Sequence, residues 1–173
     1  AGALANTTKF NASNAALIAL DPKTGGILAM VGSRNYFDTE IPGAYNVATM
    51  HPGRQPGSAF KPFAYAQAFS EGYTPETVVF DVRTQFSTAC SPSNMTSEGS
   101  CYSPGNYDDR FRGPMTLREA LAQSINVPAV KVLYLVGVDN AIKTARAMGI
   151  EGLSDANQYG LSLALGGGEV SLL

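Results

Sequence analysis

Two short apolar runs separated by turn-forming residues place the strongest constraint on the fold of this chain. Residues 14–33 read NAALIALDPKTGGILAMVGS, and the segment from Asp21 to Gly26 divides the two runs. Asp, Pro and Gly at such a position favour a reversal of the chain, and the flanking apolar residues favour strands. The segment therefore predicts an antiparallel β-hairpin with Lys23, Thr24 and Gly25 in its turn.

The next periodic segment is 58–71, SAFKPFAYAQAFSE, in which apolar residues recur at helical intervals. Pro62 is compatible with a helix here because it falls in the first turn. The pattern predicts a buried helix that starts at Ser58. The preceding residues 34–57 are rich in Pro, Gly, Asn and Tyr, which indicates an ordered surface connection without strands.

One helix is predicted before residue 125 and another after it. Thr116 followed by Glu119 forms a capping box for the segment LREALAQS. After Asn126, the segment PAVKVLYLVG begins with Pro128, which suits the start of a helix. The tripeptide Ser124-Ile125-Asn126 is therefore expected to connect the two helices.

The remaining segments complete an α+β prediction. Residues 74–114 lack periodicity and indicate a long irregular region, 140–148 form an amphipathic helix closed by Gly149, and 160–173 are rich in glycine and apolar. The whole chain, 1–173, is expected to be part of one domain. Helices would pack on an antiparallel sheet to which this chain contributes chiefly the hairpin of residues 14–33.

Cys90 and Cys101 flank a polar loop, CSPSNMTSEGSC, that is flexible enough for the two sulfurs to meet. Two cysteines and a single histidine, His51, do not provide the ligands of a four-coordinate zinc site. In an oxidising location, the pattern favours a disulfide over two free thiols. We predict no metal and no cofactor, and a solvated rather than catalytic His51.

The charge of the chain excludes nucleic acid as a partner, and its hydropathy excludes a membrane-spanning segment within these residues. The formal net charge is −2 with both signs interspersed, which provides no basic surface for nucleic acid. The longest apolar runs are far shorter than the roughly 20 residues that span a bilayer. The first ten residues, AGALANTTKF, do not resemble a signal peptide, so a targeting segment is expected outside this chain.

Ser58 and Lys61 are the candidate nucleophile and base. Their spacing puts them on one face of the first helical turn, which brings the amine toward the hydroxyl. A serine hydroxyl needs a neighbouring base, and a lysine can serve only when burial or nearby cations lower its pKa. Phe60 and Phe63 are expected to supply that burial. Ser-x-x-Lys alone also fits an ordinary capped helix.

Ser124 and Asn126 form a second candidate motif. The hydroxyl of Ser124 can relay a proton, and the amide of Asn126 can hold an amide of a substrate. Their position between two helices leaves both side chains free to point into a cleft. The alternative for this tripeptide alone is a helix-end cap without catalytic function.

Five segments together resemble the transpeptidase domain of class A penicillin-binding proteins. They are RQPGSAFKPF at 54–63, GPMTLREALAQSINVPAVKV at 113–132, NYDDRF at 106–111, DPKTGGILAMVGS at 21–33 and LALGGGEVSLL at 163–173. The resemblance implies that Ser58 is acylated by the D-Ala-D-Ala end of a peptidoglycan stem peptide or by a β-lactam. Lys61 would be the base, Ser124 would relay a proton, and Asn126 would bind the amide of the substrate.

The family pattern also includes a Lys-Thr-Gly motif on a strand after the other two motifs. This chain has no such motif after Asn126, and Lys23-Thr24-Gly25 is better explained as turn residues. The chain is therefore expected to be the N-terminal part of the domain. A second chain or self-association would supply the missing strands, and a stable monomer in sedimentation would contradict that expectation. The resemblance further implies an extracytoplasmic domain of a membrane-anchored protein.

Three alternatives share these motifs. A serine β-lactamase needs a carboxylate that activates water, and neither Glu151 nor Glu169 lies in a suitable Glu-x-x-Leu-Asn pattern. A penicillin-sensing receptor would keep Ser58 acylated and signal. An inactive fragment would need a second chain to act.

Overall fold

The computed structural model describes residues 9–51, 53–153 and 155–173, which form two compact units. The first unit contains the described residues up to Gln55, together with 150–152 and 169–173. The second contains 56–149 and 153–168. Ser58, Lys61, Ser124 and Asn126 all belong to the second unit.

The first unit contains the predicted hairpin. Strand β1 (Leu17–Leu20) pairs antiparallel with β2 (Ile27–Val31), with an irregularity between Ala19 and Leu20. Asp21 closes the turn, because its carboxylate accepts hydrogen bonds from the backbone of Lys23 and the hydroxyl of Thr24. The prediction that Lys23-Thr24-Gly25 lies in a turn is confirmed.

The long connection after the hairpin also agrees with the sequence. Residues 34–57 contain no extended strand in the part that the structure describes, and Arg54 forms a single antiparallel bridge with Val170. His51 is exposed in this connection, as predicted.

The second unit is a cluster of helices with a small sheet at its side. Helix α1 (Lys61–Ser70) packs against α3 (Asn126–Val136) and α4 (Val138–Ala147). Its buried face consists of Lys61, Ala64, Tyr65 and Ala68, which is the spacing of one helical stripe. Helix α3 buries seven of its eleven residues, whereas Tyr134 and Leu135 near its end are exposed.

The short helix α2 (Leu117–Ala122) begins with the predicted capping box. The hydroxyl of Thr116 accepts from the backbone of Glu119, and the carboxylate of Glu119 accepts from the backbone of Thr116. Two 3₁₀ turns, Ala156–Gln158 and Leu161–Leu165, lie near the end of the chain.

The start of the first helix differs from the prediction. Residues Gly57–Phe60 form a 3₁₀ turn, and the α-helix begins only at Lys61. Pro62 has no N–H to donate to the carbonyl of Ser58, and the N–H of Lys61 donates to that carbonyl instead. The proline therefore favours a 3₁₀ turn, rather than an α-helical turn, around Ser58.

The prediction of an irregular region over 74–114 is wrong in one respect. Strand β3 (Val78–Asp81) pairs antiparallel with β4 (Gly113–Thr116), with Val78 opposite Thr116. Burial alternates along β3, and Val79 and Asp81 face inward. The pairing joins segments more than thirty residues apart, so no local pattern could show it.

Cys90 and Cys101 are joined by a disulfide, with their Cα atoms 5.5 Å apart. The prediction from the loop between them is confirmed. No helix in the described part of the chain has both the length and the apolar character needed to cross a bilayer.

Candidate active site

Lys61 is the centre of a polar cluster inside the second unit. Its side chain is buried, with 1% of its surface exposed. The Nζ atom donates to the carbonyl oxygen of Ser124 at 2.5 Å, to Oγ of Ser124 at 3.1 Å and to Oδ1 of Asn126 at 2.8 Å. A lysine ammonium has three protons to donate, so these three acceptors satisfy it fully.

Burial lowers the pKa of Lys61 from 10.5 to about 8. Removal from water disfavours the charged amine, which is the condition that a general base requires near neutral pH. Phe60, which precedes Lys61 in the sequence, is buried. The centroid of its ring lies 5.4 Å from that of Phe63. At pH 7 a pKa of this size leaves roughly one molecule in ten with a neutral amine.

Ser58 lies in the 3₁₀ turn that precedes Lys61, and its side chain is exposed. Among the described residues, its hydroxyl makes no hydrogen bond, although the helical spacing predicts that the amine of Lys61 points toward it. The reason is that all three protons of the ammonium are already bound to Ser124 and Asn126. An ammonium also has no lone pair with which to accept the proton of a serine.

Ser124 occupies the left-handed region, with φ of 55°. It follows α2 in a Schellman motif, because its N–H donates to the carbonyl of Leu121 and the N–H of Ile125 donates to that of Ala120. Glycine is the usual residue at this position, and a side chain there costs roughly 1 kcal/mol. The side chain that carries this cost is the one that contacts Lys61.

Replacing Ser124 by glycine should remove this backbone cost. We expect Ser124→Gly to have a free energy of unfolding about 1 kcal/mol higher than that of Ser124→Ala, measured by urea denaturation, because both variants lose the hydroxyl that accepts from Lys61 and only one loses the left-handed cost. Ser124→Ala is the matched control, because it lacks the hydroxyl but keeps the left-handed cost. If both variants had the same stability, the assigned backbone cost would be wrong.

Asn126 is the first residue of α3, and both ends of its amide are bonded. Oδ1 accepts from Lys61, and Nδ2 donates to the carbonyl of Gly105 at 3.1 Å. The structure thus brings Lys61, Ser124 and Asn126 into direct contact, with Ser58 at the exposed turn before Lys61.

Sequence reasoning missed the role of Gly166. This glycine has φ of 79°, and a Cβ atom built on it would lie 2.2 Å from the backbone nitrogen of Gly57. The backbone of residue 166 therefore lies directly against the turn that carries Ser58. The run Gly166-Gly167-Gly168 is the signal that could have indicated such a close approach.

Two buried polar residues were also missed. Asp81 is completely buried, and Asn106 is 5% exposed. Asn106 belongs to the polar run NYDDRF, whose composition indicates a surface loop. Only the tertiary structure shows that this asparagine is inside and bonded to α3.

Comparisons with known proteins identify the family of this chain. The family model described as the penicillin-binding protein transpeptidase domain matches residues 15–162. Penicillin-binding protein 1A of Neisseria meningitidis is 37% identical over 158 residues, which cover 91% of this chain and 18% of that protein.

Solved structures show the same fold. Penicillin-binding protein 1A from Haemophilus influenzae superimposes with a TM-score of 0.72 at 31% identity, over 91% of this chain and 21% of that one. The penicillin G acyl-enzyme complex of penicillin-binding protein A from M. tuberculosis has a TM-score of 0.68 at 23% identity, over 91% and 42%. The superpositions confirm the α+β prediction. This chain spans about a fifth of the length of the Neisseria meningitidis protein. This chain belongs to the transpeptidase domain family of the class A penicillin-binding proteins.

Proposed function

We propose that this chain carries the acylation site of a peptidoglycan D,D-transpeptidase, with Ser58 as nucleophile and Lys61 as base. The observation that carries the proposal is the buried amine of Lys61, whose pKa is about 8 and whose hydrogen bonds go to Ser124 and Asn126. A neutral amine at this position has a lone pair available for the proton of an adjacent serine.

In the first half of the reaction, neutral Lys61 takes the proton of Ser58 while Oγ attacks the carbonyl carbon of the penultimate D-Ala. The C–N bond to the terminal D-Ala breaks, and an ester to Ser58 forms. The leaving nitrogen needs a proton, which Lys61 supplies through the hydroxyl of Ser124 at 3.1 Å. Asn126 would exchange its bond with Gly105 for the amide of the substrate.

In the second half, an amine of a neighbouring stem peptide attacks the ester carbonyl. Its proton passes through the same Ser124 and Lys61 pair, and Ser58 leaves with a proton from Lys61. The product is a peptide cross-link, and no cofactor takes part. A β-lactam would acylate Ser58 in the same way, as penicillin G does in the M. tuberculosis relative of this fold.

The proposal also covers the location of this domain in the cell and its extent along the chain. Peptidoglycan stem peptides lie outside the cytoplasmic membrane, so we propose an extracytoplasmic domain of a membrane-anchored protein, which is compatible with the disulfide. All of 1–173 would be part of one transpeptidase domain. The Lys-Thr-Gly strand that the family pattern adds would come from a further segment of the protein or from a second chain.

The test is intact mass spectrometry of the full-length protein after incubation with excess penicillin. We expect one added penicillin, absent in Ser58→Ala and present in Ser70→Ala, an exposed serine at the other end of α1. Ser124→Ala should still form the adduct, more slowly, because its hydroxyl relays a proton and is not the nucleophile. No adduct in the wild type, or an adduct that persists in Ser58→Ala, would overturn the proposal.

A further inference from the structure

Helix α3 begins without a capping side chain of its own. Its N-cap residue is Ile125, which has no side-chain hydrogen-bond acceptor. The first free N–H groups belong to Asn126 and Val127, and Pro128 has none. A partner from elsewhere must therefore satisfy two N–H groups at the residue that contacts Lys61.

Asn106 supplies that partner from a segment twenty residues away. Its Oδ1 accepts from the backbone N–H of Asn126 and of Val127, both at 3.1 Å. Its Nδ2 donates to Oδ1 of Asp81 at 2.8 Å and to the carbonyl of Arg110 at 2.7 Å. Every polar group of this buried amide is thus bonded, and it caps α3 in place of Ile125.

Asp81 and the carbonyl of Arg110 together determine which way the amide of Asn106 points. A carboxylate accepts hydrogen bonds and an amide nitrogen donates them, so Asp81 holds Nδ2 toward itself and leaves Oδ1 toward α3. The other carboxylate oxygen accepts from the backbone N–H of Arg112 at 3.0 Å, with the guanidinium of Arg112 3.8 Å away. Asp81 is held in turn by its place on the inward face of β3.

The neighbouring residue extends the contact to the reactive side of Asn126. The carbonyl of Gly105 accepts from Nδ2 of Asn126, which leaves Oδ1 of that amide toward Lys61. Residues 105–106 therefore bind both the backbone and the side chain of Asn126. A shift of this segment would move Oδ1 of Asn126, which is one of the three acceptors that hold the amine of Lys61.

We infer that Asp81 and Asn106 form a buried relay that positions Asn126 against Lys61, and that both are positioning residues for acylation. The inference rests on the proposed function, since its effect is on the reaction of Ser58. Neither residue touches a reacting atom. Residues 105–112 and strand β3, which are distant from Ser58 in sequence, thereby fix one of the acceptors that orient the base.

The test measures the rate constant of penicillin acylation at saturating antibiotic in the full-length protein, and separately the fraction of molecules that finally react. We expect Asn106→Ala to react completely but at least tenfold more slowly than the wild type. A role in folding alone would lower the fraction that reacts and leave the rate constant of the folded molecules unchanged, and that result would overturn the inference.

A second pair of variants carries the test if Asn106→Ala does not fold. Asn106→Asp sets two carboxylates against each other and should be slower than the wild type by tenfold or more. Adding Asp81→Asn exchanges the two groups, restores a donor between them, and should recover a large part of the loss. A double variant no faster than Asn106→Asp would contradict the relay.

Asp139→Asn is the control, because Asp139 is an exposed carboxylate of α4 that pairs with Lys143 and lies outside both residues 105–112 and strand β3. We expect its rate constant to stay within about twofold of the wild type, and a tenfold loss here would refute the assignment to Asp81 and Asn106. Absence of a Ser58-dependent adduct in the wild type would instead refute the proposed function.

Discussion

Replacing Lys61 by methionine should slow the acylation of Ser58 by about a hundredfold or more, the usual contribution of a general base. Methionine fills a similar volume, so the variant should remain folded. It also removes the cost of burying an ammonium, although three acceptors on Ser124 and Asn126 lose their donor. The measurement is the penicillin acylation rate constant, with Lys143→Met as control. Lys143 is an exposed lysine paired with Asp139, so its loss should not change the rate.

The same amine should determine the pH dependence of the wild type. Because only neutral Lys61 can accept a proton, the acylation rate should rise about tenfold per pH unit below pH 8 and level off above it. A flat profile between pH 6 and 9 would exclude Lys61 as the base.

The free energy of unfolding provides an independent test of the pKa of Lys61. The folded chain releases the proton of Lys61 near pH 8, whereas the unfolded chain holds it to about pH 10.5. The unfolded state therefore binds more protons in this window, and the wild type should gain stability as the pH rises from 8 to 10.5. Lys61→Met should lack this gain, as measured by urea denaturation at each pH.

Replacing Gly166 by alanine should have the second large effect, on both stability and reaction rate. The added Cβ would meet the backbone nitrogen and Cα of Gly57 at 2.2 and 2.4 Å, and backbone cannot move aside as a flexible side chain can. Together with the left-handed φ, we expect a loss of about 3 kcal/mol in the free energy of unfolding. The displaced turn carries Ser58, so acylation of the folded protein should slow by about a hundredfold.

Gly149→Ala separates the two causes of that loss. Gly149 also has a positive φ, of 99°, but nothing lies within 4 Å of a Cβ built there. It should lose only about 1 kcal/mol from backbone strain and acylate at the rate of the wild type. If Gly166→Ala behaved like Gly149→Ala in both measurements, the close approach to the Ser58 turn would have no functional importance.

Local chemistry alone determined several features of this protein. The turn from Asp21 to Gly26, the capping box of Thr116 and Glu119, and the loop disulfide each depend on residues close in sequence. Their energies come from neighbours that are already near one another in the unfolded chain. The sequence also predicts the four candidate site residues, through the Ser-x-x-Lys and Ser-x-Asn patterns together with the resemblance of the surrounding segments to the family.

The tertiary structure decided what those residues contact. The pairing of β3 with β4, the cap that Asn106 places on α3, and the approach of Gly166 to Gly57 join segments that only the folded chain brings together. The burial that lowers the pKa of Lys61 has the same origin. Sequence spacing placed Lys61 beside Ser58, but long-range packing directed its amine to Ser124 and Asn126, because buried donors must find acceptors where the fold supplies them.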